Sequence, residues 1–559
     1  MAEAATLGAP KSWRARLLPA VLVLLCGWCV VLLRDPMPLD ETRYAEVFRE
    51  LLSGSKLVLT LNSEGYSHKT PLLFWFAWVA HGAGLSLAAA MMVWPAIFSS
   101  LTVLLVGRMG ARLGMRHADW IQAGMVMPLV LSGIVLFDSM LALFVWLFLW
   151  ARFDDRPWVA MLASIPMMMA KGPAALVFAI PYGIVFGPPK STTRGWRARL
   201  PVQLLPGLLV LGGWAYVAIL KAGASNAEEG QFAANLAWNQ TAGRVVNSFA
   251  HARSIYWYVP ILIAATLPYT GQLLLPLRRL RRTTSERPLL SQLVLASAVV
   301  FLVWSLISGK QAHYLMPMLP AMALLFAADF EERPALLGRT HFTAAAFLLL
   351  FVGILLTLRF GWIVDPLADY GERSDQLRGS LYWNTLLFGG CALGVGAAAF
   401  LAAKRPTLPG TAGVFLVGMV AMLAPLHGGL HHLVLPQTMI VEPYLSELRA
   451  HPLATIGNQQ AGLYNLYFEV DHIERLSPGD ATEIEAWITA HPDGALLVEE
   501  KNLAVLEGLA LRPLVRDRIR AKQNWAMLVS PGAQLDLGFL AEWDAKPERF
   551  EPEGRIERE

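Results

Sequence analysis

Continuous apolar runs of about 17–22 residues recur from Leu17 to Leu426, and no other feature constrains the chain as tightly. At about 1.5 Å per helical residue, each run approaches the roughly 30 Å hydrocarbon core of a bilayer. Lipid offers no partner to a backbone amide, so only helices or a closed barrel can span it. These runs lack the period-two alternation of barrel strands. The expected fold is mainly α: a polytopic helical membrane protein with about 13 transmembrane helices. Composition agrees, with 55% hydrophobic and 16% charged residues against roughly a quarter charged in soluble domains. A net charge of +4 without a basic stripe gives no reason to expect a nucleic-acid partner. Cys26, Cys29 and Cys391 all fall in apolar runs, where no thiolate is stabilised, so they read as packing.

Loop cations set the expected orientation. Lys11, Arg14 and Arg16 precede an uncleaved first span at 17–33 and hold that end in the cytoplasm. The further spans are expected near 91–107, 119–136, 139–151, 158–170, 174–187, 202–220, 256–277, 289–307, 313–330, 342–358, 382–402 and 411–427. Alternate loops are then rich in Arg and Lys, from Arg108, Arg112 and Arg116 through to Lys404 and Arg405. The opposite, outer loops contain 34–90, the turns at Asp138, Lys171 and Lys310, and the segment 221–255. The spans flanking Asp138 and Lys171 are only about 13–14 residues, short of the roughly 20 needed to cross. Their turns should lie below the headgroups and line a cavity. A charge at such depth is costly, which makes a functional role the default expectation.

The polar stretch 34–90 carries most of the candidate chemistry. Pro36 and Pro38 bias their predecessors away from helix. A helix can then begin at Asp40, with Tyr44, Val47, Phe48, Leu51 and Leu52 as its apolar stripe and Gly54 as its end. Such a helix lies along the membrane surface with Asp40, Glu41 and Arg43 at its tip. Asp40 has two readings, a helix N-cap or a reactive carboxylate. Arg43, Lys69, Lys171, Arg244 and Lys310, with His251 nearby, occupy five separate outer segments. Their convergence would suit an anion of membrane origin, such as a lipid phosphate. Tyr44, Tyr66 and His68 are candidate substrate contacts. His427, His431 and His432 have helical metal-ligand spacing but read more simply as a histidine-rich interfacial helix end.

From about Pro436 the composition becomes that of a soluble protein. Segments YLSELRA and ATEIEAWITA have helical spacing, whereas LATIG, GALLVEE and WAMLV read as strands, giving a small α/β domain. Two domains are therefore expected: a membrane domain over 1–435 and a soluble domain over 436–559. An odd number of spans places the second domain outside.

Three segments carry a resemblance. DETRYAEVFRELLSG with GYSHKTPLLFW, AKGP at 170–173, and SGKQAHYLMPMLPAMALL at 308–325 resemble, in the same order, segments of bacterial lipid A aminoarabinose transferases. They are also similar to protein O-mannosyltransferase-like relatives of the GT-C fold. The resemblance implies a multi-pass enzyme of the bacterial inner membrane, with a cytoplasmic N-terminus and a periplasmic C-terminal domain. Such an enzyme moves a sugar from a polyprenyl-phosphate donor to a lipid, glycan or protein acceptor. It further implies that Asp40 and Glu41 form the acidic pair at the reaction centre and that Asp138 is a second acidic residue. Lys69, Arg244 and Tyr314 would hold the donor phosphate, with Lys171 in the family's KGP turn. No cofactor is required, although a divalent cation shared by Asp40 and Asp138 is a second reading. His68-Lys69-Thr70-Pro71 stands where the family commonly has Glu-Lys-Pro-Pro, which points to a different sugar or acceptor. Two rival functions are a transporter, with Asp and Lys forming a path, and a membrane-anchored binding protein for an anionic lipid or sugar.

Overall fold

The computed structural model describes residues 13–32, 36, 40–187, 195–223, 253–273, 288–360, 396, 407–419, 451–456, 465, 470–519, 523–538 and 540. The first helix, α1 (Trp13–Leu32), packs along α5 (Trp94–Arg112). Between them lie α2 (Asp40–Ser53), the hairpin β1 (Thr60–Leu61) and β2 (Glu64–Gly65), α3 (Leu72–Gly82) and α4 (Leu87–Met92). Among the described residues, Leu87–Arg112, Arg199–Lys221, Leu289–Leu306 and Ala312–Glu332 are long and apolar enough to cross a bilayer, and Pro157–Val185 has the length and composition but folds back at Gly172. Shorter apolar helices, Leu17–Val31 and Leu336–Leu350 among them, accompany these. The chain is thus a polytopic helical membrane protein.

Several expected spans are broken. The run 119–136 forms two short helices, α6 (Ala118–Ala123) and α7 (Val126–Ser132), rather than one. At the break, Val126 N donates to Leu267 O instead of continuing the ladder, and a Cβ on Gly124 would meet the Tyr269 hydroxyl at 2.6 Å. In the run 256–277 the described residues hold an α-helix at Tyr258–Ala265, with 3-10 turns at Ile255–Trp257 and Tyr269–Gln272 on either side. The expected span 382–402, apart from Gly396, and His427, His431 and His432 lie outside the described residues, as does the boundary at 435/436.

After α7 the chain bends by 117° into α8 (Phe137–Phe153). Helix α9 (Pro157–Lys171) runs back along α8, and Gly172, at φ +60°, turns the chain again into α10 (Leu176–Val185). That left-handed position favours glycine because a Cβ is strained there. The side chains show the reversal. Lys171 meets Asp138 at one end of α8, whereas Arg152 at the other end donates to Gly183 O of α10 at 2.9 Å. Arg152, expected in a solvated loop, is only 3% exposed and also donates to Gln203 of α11 (Arg199–Gly223). It ties three helices together where their ends meet.

The core sits around α8. Trp146 is fully buried among Tyr182 and Phe186 and donates from its indole to Pro317 O at 2.9 Å. Trp146→Ala removes that payload and leaves a carbonyl unpaired. A destabilisation of about 3–5 kcal/mol is expected, read as a lowered apparent Tm in detergent.

Residues from 451 onward form a five-stranded mixed sheet in the order β4-β3-β5-β7-β6. The strands are β3 (Leu453–Ile456), β4 (Glu474–Leu476), β5 (Ala495–Glu499), β6 (Ala510–Ile519) and β7 (Gln523–Gln534). Helix Ala481–Ala490, capped by Asp480 on Glu483 N, buries Ile484 and Trp487 against the sheet.

Candidate active site

The α7–α8 break positions the first acidic group. Bending a helix inside an apolar core strands backbone donors that lipid cannot satisfy. Glu41 meets this need: its carboxylate accepts from Val135 N at 2.6 Å, and the side chain is almost fully buried. The break places Asp138 in the first turn of α8, where it is 2% exposed. A carboxylate buried so deeply needs a partner. Lys171 Nζ lies 2.7 Å from its Oδ1 and His313 Nε2 lies 3.6 Å from its Oδ2. The Lys171 ammonium also sits 4.0 Å from the centroid of the Tyr314 ring. Tyr314 in turn packs against His313 and Trp304.

Helix α2 supplies the second half. Its apolar stripe is buried as its spacing predicts, with Val47 and Phe48 fully inside. Asp40 opens the helix and remains half-exposed, with Arg43 3.6 Å away. Successive helical residues are rotated by about 100°, so Asp40 and Glu41 face different surroundings. Tyr44 is fully buried edge-on between Phe74 and Phe137. Burial, then the nearby Asp40, hold its hydroxyl well above the ordinary range, so it stays neutral. Lys69 lies 5.4 Å from the Phe137 ring centroid and 5.9 Å from that of Tyr44. Next to it, the exposed His68 stacks on Tyr66 with centroids 5.1 Å apart.

These groups converge. Asp40, Lys69, Asp138 and Lys171 all lie within electrostatic reach of His313, and Asp40, Arg43, Tyr66 and Asp138 within reach of Tyr44. Lys310 is placed differently. It is buried, and its ammonium donates to Arg253 O at 3.0 Å and Ile307 O at 2.6 Å, capping the helix that precedes it. Arg244 and His251 lie outside the described residues. No three His, Cys, Asp or Glu side chains gather as a metal site among the described residues.

His313 was not among the residues singled out from the sequence, although it lies within the 308–325 segment. Its only signal there was a titratable side chain one residue before Tyr314. Thr70, whose hydroxyl donates to Met169 O, was missed for the same reason: its partner is 99 residues away. A large groove of about 980 Å³ runs along α5 and α8, lined by Trp94, Phe98, Leu101 and Phe144. None of the converging charges lines it.

No family model matches the sequence. Among curated proteins, the chain is 26% identical over 378 residues to the undecaprenyl phosphate-alpha-4-amino-4-deoxy-L-arabinose arabinosyl transferase of Erwinia tasmaniensis. That match covers 62% of this chain and 66% of the relative. The corresponding transferase 2 of Sodalis glossinidius is 27% identical over 330 residues, covering 54% of this chain and 58% of that protein. The matched segment thus spans between about half and two thirds of the length of these relatives. The crystal structure of ArnT from Cupriavidus metallidurans bound to undecaprenyl phosphate superposes with a TM-score of 0.70 at 18% identity. Its apo state gives 0.67, and both cover 92% of this chain and 98% of theirs. The chain is therefore a polytopic membrane protein with the ArnT fold, of GT-C type. Within that class it resembles the lipid A aminoarabinose transferases.

Proposed function

We propose that this protein is an integral-membrane glycosyltransferase that moves a sugar from a polyprenyl-phosphate donor to a lipid acceptor. The observation that carries the reading is the contact of Lys171 and His313 with the buried Asp138 at one bend of the membrane bundle, with Lys69 and Asp40 within electrostatic reach of His313. Breaking the donor's sugar–phosphate bond builds negative charge on the departing phosphate. Lys69 and Lys171 are fixed in advance, so they stabilise that charge without reorganising as it develops. Arg244 is assigned to the same phosphate by resemblance. Asp40, half-exposed beside Arg43, is the carboxylate free to approach an acceptor: it takes the proton of a hydroxyl, or orients a phosphate that needs no base. Glu41 and Lys310 act at one remove, since Glu41 holds α2 to the bend and Lys310 fixes the segment leading to Tyr314. The sugar itself is addressed by Tyr66 and His68, where His68 replaces the family's usual glutamate.

In this reading the converging end of the bundle is periplasmic, the N-terminus cytoplasmic and the bundle completed to about thirteen spans. The resemblance of the three sequence segments to lipid A aminoarabinose transferases supports a lipid A-like acceptor. The test is transfer by purified protein in detergent, where no gradient exists. Asp40→Ala is expected to abolish transfer of sugar from an undecaprenyl-phosphate donor. Flux across proteoliposomes that fails in Asp40→Ala, with no transfer in detergent by the unsubstituted protein, would establish the transporter instead.

A further inference from the structure

The C-terminal sheet is fastened to the hairpin that leads into Lys69, and the fastening is concentrated in one side chain. Asn62 and Ser63 form the two-residue turn between β1 and β2, both at positive φ (58° and 63°), as a type I′ connection requires. Asn62 is fully buried. Its amide donates to Ile473 O at 3.0 Å, and its carbonyl oxygen accepts from Ile473 N at 2.7 Å and from Asn465 at 2.8 Å. The pairing imitates a strand ladder at the point where β4 begins. Around it, His472 Nδ1 contacts Asn62 O, Ser63 Oγ donates to Asp471 O, and Arg475 pairs with Glu64 at 3.2 Å.

A second clamp acts on α2. Arg49 makes two bonds to Glu46, at 2.9 and 2.7 Å, and reaches Asp471 and Val470 O at 2.9 Å each. Burial pushes the Glu46 carboxyl up, partly opposed by Arg49. The segment 470–475 therefore grips both elements that lead to the site. Helix α2 carries Asp40 and Glu41 at its far end. The hairpin passes directly into Tyr66, whose N–H donates to Leu59 O at 2.8 Å, then into His68 and Lys69.

We propose that segment 470–475 is a lock that sets the position of Lys69 and of α2, with Asn62 and Arg49 as positioning residues for sugar transfer. The inference rests on the transferase reading above for its kinetic consequence alone. Asn62→Asp keeps the size and the tolerance of positive φ but replaces a donor with a charge facing the Ile473 carbonyl. In the full-length protein in detergent, hydrogen exchange should accelerate at least about ten-fold at 470–476 and at the Tyr66 amide together. Transfer should fall about ten-fold in kcat. A cysteine pair, Ser63→Cys with Asp471→Cys, in an Asn62→Asp chain otherwise free of cysteine replaces the Arg49–Asp471 contact by a covalent link, leaves Arg49 on Val470 O, and should restore both when oxidised and neither when reduced.

Faster exchange confined to 470–476, with Tyr66 still protected, overturns the lock. So does full kcat in Asn62→Asp when Tyr66 has become labile. If the unsubstituted protein transfers no sugar, the transferase reading fails while exchange at Tyr66 still decides whether the lock exists.

Discussion

Lys69→Met is expected to lower kcat for sugar transfer by on the order of 10²–10³-fold while leaving apparent Tm within a few degrees of the unsubstituted protein. Lys69 is partly exposed and sits beside the Phe137 and Tyr44 rings at 5.4 and 5.9 Å. Losing such contacts costs about 0.5–1 kcal/mol, a small fraction of a stability drawn from helix packing. The catalytic loss is larger because the charge it stabilises is greatest in the transition state, when the phosphate is leaving. Lys69→Arg keeps the charge but spreads it over a bulkier planar group, so partial recovery is expected. Steady-state rates with an undecaprenyl-phosphate-linked sugar, together with KM for the donor, decide the point. A raised KM with unchanged kcat would show that Lys69 binds donor and transition state equally, and would remove it from the chemical step.

Helix α2 shows how far the sequence could be read. Its limits follow from local punctuation, two prolines before and Gly54 after, and its buried face from the stripe Tyr44, Val47, Phe48 and Leu51. Such signals involve residues within two turns of each other. Asp138 and Lys171 were also legible, because a lone charge between short apolar runs must find company. What the sequence could not supply was which company. Glu41 finds its partner 94 residues away, in the bend before α8, where hydropathy marks a turn but not what satisfies its freed amides. Adjacent carboxylates that look equivalent in DETRY therefore separate into one half-exposed and one buried group.

Lys310 and Asn62 make the same point in opposite directions. Lys310 looked like a phosphate ligand, yet its ammonium lies on two carbonyls at a helix end, a role that follows from backbone geometry rather than from charge spacing. Asn62 looked like an ordinary turn residue, and it holds a segment 411 residues further along the chain. The short unbroken spans were legible for a general reason: hydrophobic length is additive along the sequence. Their interruptions at Gly124 and Thr266 were not: Val126 N donates to Leu267 O from a distant segment, and the Thr266 hydroxyl donates to Leu262 O of its own helix, pairings that hydrophobic length does not register.

The Asp138–Lys171 pair gives the second large effect, and a double-mutant cycle separates its structural from its chemical part. Lys171→Met leaves Asp138, 2% exposed, with His313 at 3.6 Å as its remaining ion-pair partner among the described residues. Removing one member of a buried pair costs about 3–5 kcal/mol; His313 and the partial exposure of Lys171 argue for the lower end, about 3 kcal/mol. Asp138→Asn alone strands the ammonium instead and should cost a similar amount. Combining Asp138→Asn with Lys171→Met removes both charges, so most of the stability should return: a double variant that costs about 1 kcal/mol, where additive single costs would reach about 6, corresponds to a coupling of about 5 kcal/mol. Transfer activity should not return, because the developing phosphate charge has lost one of its two fixed cations and the His313 ring its carboxylate. Thermal unfolding in detergent measures the first quantity and donor turnover the second. A double variant that regained both stability and turnover would reduce the pair to a membrane-embedded tie between α8 and α9.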